Sequence, residues 1–264
     1  MTILSVMSYK GGVGKTTTTA NLAEALRRKG WLVTVVDLDP QNAVRLHFGA
    51  DPMDTAGIAT QIVAGHPLHE VCLHSQSGVD VLPFGTVSEP ERQAYEKLLA
   101  EQPGLLKALL APWAAERRQI VLLDTPPGPS VYLQQAMLAA NRALLVIHAD
   151  ASSYATLPAM EKLLEHYFYA RRDFLGAHYL LNFVDGGKRL NRDVHALLRN
   201  QMKERLAPHS VHYDAALTEA LAHQQTVFDY DAHSQAAFSL QKVADWLDGL
   251  LQGDLLSESN CVSV

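Results

Sequence analysis

The chain has 264 residues, of which 48% are hydrophobic, and it carries a formal net charge of −6. This size allows one sizeable core, and the acidic balance argues against nucleic acid as a partner of the whole surface. No apolar run reaches about 18 residues and no signal peptide is evident, so we expect a cytoplasmic chain without a membrane span or direct membrane anchor. Cys72 and Cys261 lie far apart in the sequence, which favours free thiols in a reducing compartment.

Apolar runs alternate with helical patterns along the chain. Strands are predicted at 3–8, 32–37, 79–83, 120–124, 143–148 and 179–183, and helices at 15–29, 54–65, 91–116, 130–140, 153–170, 191–206, 214–223 and 234–251. Continuous apolar strands separated by helices predict an α/β fold with a doubly wound, mostly parallel sheet. We predict one domain over residues 1–252 and a flexible polar tail over residues 253–264.

A glycine-rich segment, Lys-Gly-Gly-Val-Gly-Lys-Thr at 10–16, follows the first predicted strand and opens the first predicted helix. Tyr9 stands where a standard Walker A motif has its first glycine, so the segment is a deviant Walker A loop. Its glycines allow successive backbone N–H groups to point at phosphate, and the helix directs its positive end to the same point. The predicted nucleotide contacts of the loop are Tyr9, Lys10, Gly11, Gly12, Val13, Gly14, Lys15, Thr16 and Thr17.

The two lysines of the loop have different expected roles. Lys15 can reach the β- and γ-phosphates of ATP, and the Thr16 hydroxyl can bind Mg²⁺. Lys10 cannot easily turn back onto its own phosphates, so we expect it to reach the nucleotide of a partner across a dimer interface, as an arginine finger does. The alternative is that Lys10 is a solvated surface lysine.

Three aspartates stand at the ends of predicted strands. Carboxylates at the carboxyl ends of strands beside a phosphate loop face the ligand crevice, and alternation puts Asp37 and Asp39 on the same side. We expect Asp37 to hold Mg²⁺ through water and Asp39 to orient the attacking water. Asp124 has the position of a Walker B aspartate that holds Mg²⁺ through its water shell. For one of the three, N-capping of the following helix is an alternative.

Taken together, these residues resemble the ParA/MinD group of P-loop ATPases, and the resemblance covers nearly the whole chain. It implies a sandwich homodimer around two ATP molecules, with Lys10 acting in trans and Asp39 activating water. Asn182 matches the adenine-reading asparagine of the group. Within the group, segments 42–48, 82–85 and 148–158 resemble the BcsQ branch, which accompanies bacterial cellulose secretion. The chain keeps both Lys10 and Lys15, which favours ATP hydrolysis.

The resemblance implies a weak, dimer-dependent ATPase that acts as a switch in assembly or localisation of the cellulose synthase complex. Its implied partners are cytoplasmic accessory proteins of that complex, which would bring it to the inner membrane. One alternative is a ParA-like partition ATPase that binds DNA through a basic stretch. The stretch contains Lys188, Arg189, Arg192, Arg199, Lys203 and Arg205, and we expect Arg192, Arg199 and Lys203 to share one helix face. Another is an enzyme that uses ATP for amidation or ligation, for which we find no additional catalytic residues.

Two further segments could have a functional or a purely structural role: a cluster of potential metal ligands and the last predicted helix. Four potential metal ligands occupy one short segment: His66, His69, Cys72 and His74. The alternative is that this segment is the end of a helix and a loop without a metal. The last predicted helix contains Trp246 and Leu247 but also Asp245 and Asp248. Membrane-anchoring helices of this class are basic, so we expect this acidic helix to pack on the body of the protein.

Overall fold

The computed structural model describes residues 2–114 and 118–261, and the sheet formed within these ranges has seven strands. The strands are β1 Thr2–Met7, β2 Leu32–Asp37, β3 Leu73–His74, β4 Asp80–Leu82, β5 Gln119–Asp124, β6 Arg142–His148 and β7 Gly176–Asn182. Their order across the sheet is β3-β4-β2-β5-β1-β6-β7. The pairs are parallel except that the short edge strand β3 runs antiparallel to β4.

Helices cover both faces of this sheet. They are α1 Lys15–Arg28, α2 Ile58–Ala64, α3 Glu89–Glu101, α4 Leu105–Leu110, α5 Val131–Ala139, α6 Ala151–Leu164, α7 Arg189–Met202, α8 Ala216–Ala222, α9 Val227–Tyr230 and α10 Gln235–Cys261. Ile3 of β1 joins a core cluster with α2 to α6, whereas Leu4 joins a cluster with α1 and α8 to α10. Neighbouring residues of one strand thus enter opposite cores, which is why the strands read as continuous apolar runs. The predicted doubly wound α/β fold is confirmed.

The parallel strands bring their carboxyl ends to one edge of the sheet. The register sets Asp124 of β5 beside Val6 of β1 and beside Asp37 of β2. The loop from β1 to α1 begins at this same edge, so the glycine-rich segment and both strand-end aspartates share one crevice. This is the position in which open α/β sheets bind ligands.

The predicted long helix at 91–116 is wrong. The structure has two helices, α3 and α4, separated by a break that contains Pro103 and Gly104. Gly104 has φ 86, in the left-handed region that ends helices, and proline cannot donate a backbone hydrogen bond within a helix. A turn of 3-10 helix, Ala111–Ala114, follows α4, and residues 115–117 lie outside the described ranges.

The last helix continues beyond the boundary that we expected at residue 252. α10 extends through Gly253 to Cys261, and residues 262–264 lie outside the described ranges. Asp254 accepts two hydrogen bonds from the Arg142 guanidinium, at 2.6 Å from Nε and 2.5 Å from Nη2. Both side chains are buried, with 7% and 11% of their surface exposed, so this ion pair fastens the extension of α10 to the beginning of β6.

The acidic face of α10 packs on the body of the protein, as expected. Lys29 at the end of α1 forms an ion pair with Asp245 at 2.8 Å, and the indole N–H of Trp31 donates to Asp248 at 2.8 Å. Leu247 and Leu251 are buried in the core beside α1. Across the described ranges, none of the helices combines the length and the apolar character that crossing a membrane requires.

The buried ion pair generates the first prediction. Asp254→Asn should lower the free energy of unfolding by about 3 kcal/mol, because the Arg142 charge would remain buried without a counter-charge. The matched control is Asp245→Asn, which removes a partner of Lys29 that is 44% exposed and should cost less than about 1 kcal/mol. Urea unfolding measures both variants, and equal losses of stability would contradict the structural role of the Arg142–Asp254 pair.

Candidate functional site

The loop between β1 and α1 takes backbone conformations that favour glycine at two positions. Gly12 has φ 73 and Gly14 has φ 80, both in the left-handed region. A Cβ at Gly14 would lie 2.4 Å from Nδ2 of Asn182, so a side chain there would also collide with β7. Gly11 is outside the left-handed region, so two of the three loop glycines adopt a positive φ. The loop therefore approaches β7 closely through its last glycine.

The hydroxyl groups of α1 bind the aspartate at the end of β5. Thr16 Oγ1 donates to Asp124 at 2.7 Å, and Thr19 Oγ1, one helical turn further, lies 3.0 Å from the other carboxylate oxygen. Asp124 is fully buried. The predicted Mg²⁺ ligands Thr16 and Asp124 therefore lie in direct contact at the floor of the crevice.

The loop lysine is buried among acidic groups. Lys15 is 6% exposed. Burial lowers the pKa of its ammonium group, and the carboxylates of Asp124, Asp39 and Asp37 partly offset that effect. A desolvated cation at the mouth of a glycine loop is positioned to attract phosphate oxygens, because its charge is poorly screened by water.

Asp37 at the end of β2 and Asp39 in the following turn both accept hydrogen bonds from the nearby backbone. Asp37 accepts hydrogen bonds from the backbone N–H of Asp39 at 2.9 Å and of Val44 at 3.1 Å, and Asp39 accepts one from the N–H of Gln41 at 3.0 Å. Val44 begins a turn of 3-10 helix, so Asp37 also satisfies a free N–H at the start of a helical segment. The expected ligand role and the capping alternative are thus compatible for Asp37.

The buried carboxylates carry more negative charge than the nearby lysine can balance. Burial, with a contribution from Asp39, raises the pKa of Asp124 to about 6 against the hydrogen bonds from Thr16 and Thr19. Burial and the Asp124 charge also raise the pKa of Asp37 well above its ordinary range. A hydroxyl and two carboxylates are oxygen ligands of the kind that Mg²⁺ prefers, and a divalent cation would offset this excess of charge. The donor set therefore fits a magnesium site.

Lys10 leaves its own loop. Its ammonium nitrogen lies 3.1 Å from Oδ2 of Asp150 and 2.6 Å from the Ser152 hydroxyl. Asp150 is the N-cap of α6 and accepts the N–H of Ser153 at 2.7 Å. Although burial opposes the effect, hydrogen bonds from Ser153, Ser152 and Lys10 hold the pKa of Asp150 well below its usual range. Lys10 is therefore neither directed at its own loop nor free in solvent in the single chain.

The predicted adenine-reading residue lies beneath the loop. Asn182 is 1% exposed, and its Nδ2 donates to the carbonyl oxygen of Val13 at 2.8 Å. Within residues 2–114 and 118–261, its Oδ1 has no hydrogen-bond partner. Phe183, the next residue, packs edge-on against the ring of Tyr213, which is 66% exposed. Asn182 therefore holds the loop through Val13, and its adenine-reading role stays a prediction.

Tyr9 and Thr17, the other predicted nucleotide contacts of the loop, make contacts within the protein. Tyr9 is half-buried and packs against the core on the α2–α6 face. The Thr17 carbonyl oxygen accepts the Asn21 side-chain amide at 2.8 Å, which ties α1 internally.

Sequence reasoning missed several residues that hold the site together. Thr19 binds Asp124, and the Thr125 hydroxyl donates to the carbonyl oxygen of Val6 at 2.9 Å, which fastens the segment after β5 to β1. The run of four threonines at 16–19 was a usable signal for Thr19, since residues three and four apart share a helix face. Asp150 followed by Ser152 and Ser153 resembles an N-cap, but nothing local connects it with Lys10.

The basic stretch does not form the helix face that we expected. α7 ends at Met202, and Lys203 has φ 49. Lys203 therefore lies outside the helix that contains Arg192 and Arg199. Arg205 is held by Glu161 at 2.7 Å, and Lys188 forms an ion pair with Asp185 at 3.3 Å. Arg189 pairs with Asp193 at 3.7 Å. Local carboxylates therefore pair with three members of the stretch, whereas Arg192 donates to the carbonyl oxygen of Gly186 at 2.7 Å.

The fold and the site together define a nucleotide-binding P-loop protein with the MinD/ParA architecture. The structure of the septum site-determining protein MinD complexed with Mg-ADP from Pyrococcus horikoshii OT3 matches with a TM-score of 0.78 at 23% identity, over 94% of this chain and 96% of that chain. The family model described as cellulose biosynthesis protein BcsQ matches residues 1–247. The chain belongs to the BcsQ family.

Curated relatives support the same assignment. The cellulose biosynthesis protein BcsQ of Salmonella typhimurium strain LT2 is 31% identical over 249 residues, which cover 93% of this chain and 94% of that protein. The chromosome-partitioning ATPase Soj of Thermus thermophilus is 29% identical over 245 residues, which cover 92% of this chain and 93% of that protein. The resemblance to ParA/MinD proteins, and to their BcsQ branch, is confirmed.

The raised pKa of Asp124 generates the second prediction. Between about pH 4 and pH 6 the folded state retains a proton that the unfolded state releases, so ionisation of Asp124 removes stability as the pH rises through this window. In the nucleotide-free protein, Asp124→Asn should therefore increase the free energy of unfolding by about 3 kcal/mol at pH 8 and have little effect at pH 4. Urea unfolding at both pH values measures this difference.

The matched control for this prediction is Asp193→Asn, which makes the same change of charge at a side chain that is 66% exposed. It should leave stability almost unchanged at both pH values. A loss of stability in Asp124→Asn at pH 8 would contradict the electrostatic account of the site.

Proposed function

We propose that this chain is an ATP-dependent dimerising switch with weak, dimer-dependent ATPase activity, and that it supports assembly or localisation of the bacterial cellulose synthase complex at the inner membrane. The observation that carries the nucleotide part of the proposal is the contact between Thr16 and Asp124 beside the buried Lys15, at the mouth of the glycine loop. The cellulose part rests on membership of the BcsQ family.

Each residue of the crevice has a separate task in this proposal. The backbone N–H groups of the loop and the Lys15 ammonium group bind the phosphates of ATP. Mg²⁺, held by Thr16 and through water by Asp37 and Asp124, would neutralise phosphate charge. Asp39 is 8% exposed, orients the attacking water and accepts its proton.

The position of Lys10 supports a dimeric active state. Within one chain its ammonium group is held by Asp150 and Ser152, away from the phosphate-binding loop. Lys10 is 39% exposed, so a partner can approach it without rearrangement of the core. In the dimer that we propose, Lys10 exchanges these contacts for the phosphates bound by the partner and stabilises negative charge there.

The hydrogen bonds of Asp37 supply a route from the nucleotide to the surface. One carboxylate holds both the N–H of Asp39 and the N–H of Val44. A change in the contacts of Asp37 on binding or hydrolysis therefore shifts the segment that contains Val44 and the following turn, Val44–Phe48. A protein partner that reads this segment would distinguish the ATP state from the ADP state.

The charge of the chain favours recruitment through proteins. The net charge of −6 is repelled by anionic lipid, and Asp245 and Asp248 of α10 are engaged with Lys29 and Trp31 on the body of the protein. We therefore propose cytoplasmic accessory proteins of the cellulose synthase complex as partners that bring the dimer to the inner membrane. Nucleic acid is disfavoured as a partner by the same net charge.

The third prediction tests the switch by separating binding from hydrolysis. Asp39→Ala should bind ATP normally, lose hydrolysis and accumulate as a dimer, since the phosphate contacts remain while the water-orienting carboxylate is removed. Lys15→Ala should instead weaken ATP binding about ten- to hundredfold, the effect of losing a charged hydrogen bond worth roughly 1.5–3 kcal/mol. Calorimetry measures affinity, phosphate release measures hydrolysis, and size-exclusion chromatography with ATP measures the dimer.

Matched controls for these variants come from exposed residues. Asp193→Ala and Lys97→Ala remove the same charges at side chains that are 66% and 75% exposed, and both should behave as the wild type. An Asp39→Ala protein that stays monomeric with ATP would refute the switch, whereas unchanged ATP affinity in Lys15→Ala would refute the loop assignment.

The fourth prediction concerns location. A fluorescent fusion should lie at the inner membrane while the cellulose synthase operon is present and become diffuse when the operon, apart from this gene, is deleted. The reason is that the chain has too little cationic surface to hold a bilayer alone. Microscopy of living cells measures the change.

A different pattern would support the partition alternative. A fusion that follows the nucleoid, and loses this pattern when Arg192 and Arg199 are changed to Glu, would show DNA binding and overturn the cellulose proposal. A fusion that stays at the membrane without the operon would overturn recruitment through the complex.

A further inference from the structure

The hairpin at one edge of the sheet gathers three potential metal ligands. Cys72 precedes β3, His74 ends it, and Asp80 begins β4. One ligand atom from each side chain lies within 4.8 Å of the other two. His66 and His69, which we grouped with Cys72 and His74 from the sequence, are exposed and not part of this cluster. The structure replaces them with a carboxylate that the sequence grouping lacked.

Backbone geometry brings the three side chains to one face. Cys72 and His74 are two residues apart along an extended segment, so their side chains project to the same side. His74 is directly opposite Asp80 in the antiparallel ladder. The turn between the strands is closed by hydrogen bonds from the N–H of Val79 to Ser75 Oγ at 3.0 Å and from the N–H of Ser75 to the Val79 carbonyl oxygen at 3.1 Å. The cluster thus has an ordered backbone on both sides.

The distances between the ligand atoms lie on either side of those in a tetrahedral zinc site. His74 Nδ1 lies 2.7 Å from Asp80 Oδ1 and 4.0 Å from Cys72 Sγ. Ligand atoms bound to one tetrahedral Zn²⁺ are separated by about 3.3–3.7 Å, given bonds of about 2.0–2.3 Å. A cation between the three atoms requires the imidazole and the carboxylate to separate slightly and the sulfur to approach. Side-chain rotations of an exposed histidine and a half-buried cysteine supply such movements.

We propose that Cys72, His74 and Asp80 form a zinc site, with water at the fourth coordination position. Thiolate, imidazole and carboxylate together match Zn²⁺, whereas Mg²⁺ prefers oxygen ligands alone. His74 is 75% exposed, so one side of the site is open to solvent for entry of the ion and for the water ligand. The site is independent of the nucleotide crevice and of the function proposed for it.

The Cys72 sulfur is protonated in the metal-free protein, since burial and the Asp80 carboxylate raise the pKa of its thiol to about 12. A metal ion must therefore displace this proton to bind the sulfur. Binding of Zn²⁺ releases that proton and gives the thiolate and the carboxylate a common counter-charge. In the metal-free protein His74 and Asp80 form an ion pair, and the Cys72 thiol has a hydrogen bond with the backbone of Val81, so the metal would exchange these contacts for bonds to itself.

A metal here would fasten the edge hairpin to the strand that ends at Asp37. β4 pairs with β2, which ends at Asp37, and β3 is held to the sheet through β4. A Zn²⁺ ion would join Cys72 to Asp80 across the hairpin and stabilise the last pair of strands on this edge. Since the ion binds the folded hairpin, it should raise the stability of the whole protein by mass action.

The test uses Co²⁺ as a spectroscopic substitute for Zn²⁺, added to the full-length, nucleotide-free protein. We expect one Co²⁺ ion per chain to produce a sulfur-to-cobalt charge-transfer band in the near ultraviolet, together with visible bands of tetrahedral cobalt, and Zn²⁺ to abolish both. Cys72→Ser should remove the charge-transfer band. His74→Gln and Asp80→Asn should each weaken cobalt binding at least about tenfold.

Controls exclude the other cysteine and the neighbouring histidines. Cys261→Ser and His69→Gln should retain the band and the affinity of the wild type, and circular dichroism confirms that each variant is folded. Absence of the band in the wild type, its persistence in Cys72→Ser or its loss in Cys261→Ser would overturn the site. Wild-type affinity in both His74→Gln and Asp80→Asn would overturn the three-residue ligand set, even if Cys72→Ser failed to fold.

Discussion

The carboxylate of Asp124 is the constraint on which the nucleotide crevice depends. It is fully buried at the end of β5, accepts hydroxyl hydrogen bonds from Thr16 and Thr19 of α1, and lies beside Asp37 of β2. These contacts join the helix that follows the glycine loop to two adjacent strands. A parallel sheet makes the arrangement possible because its strands end at one edge, where polar side chains can leave the apolar core.

Keeping such a cluster buried has an electrostatic consequence. Lys15 faces the carboxylates of Asp37, Asp39 and Asp124, so the crevice has an excess of negative charge when it is considered without ligands. The raised pKa values of Asp37 and Asp124 express the cost of ionising them there. Binding of a divalent cation reverses that cost, which makes the occupied state of the site electrostatically different from the free state. Such a difference is what a nucleotide-dependent switch requires.

Much of the fold and the centre of the site could be predicted from the sequence, because their signals are local. The apolar runs that became β2 and β5, and the helix that begins at Lys15, were located within a residue or two of their observed bounds. The glycine loop and the aspartates at the strand ends could be located because they stand directly after these predicted strands. An error arose where a local pattern misleads, since Pro103 and Gly104 divide what reads as one helix. The polar residues after Gly253 suggested a tail, whereas α10 continues through them to Cys261.

The sequence by itself determined the class of protein, since the residues that bind phosphate stand within one short loop and their order carries the chemistry. Tertiary structure alone decided which distant residues complete the assembly. Lys10 is held by Asp150, 140 positions away, and Arg142 binds Asp254 across 112 positions. The sequence has no period or motif that connects such pairs, because they meet only when the strands and helices that carry them pack together. Asp80 is different, since it lies close to His74 in the sequence and was absent from the ligands grouped by spacing because pairing across the hairpin brings it opposite His74.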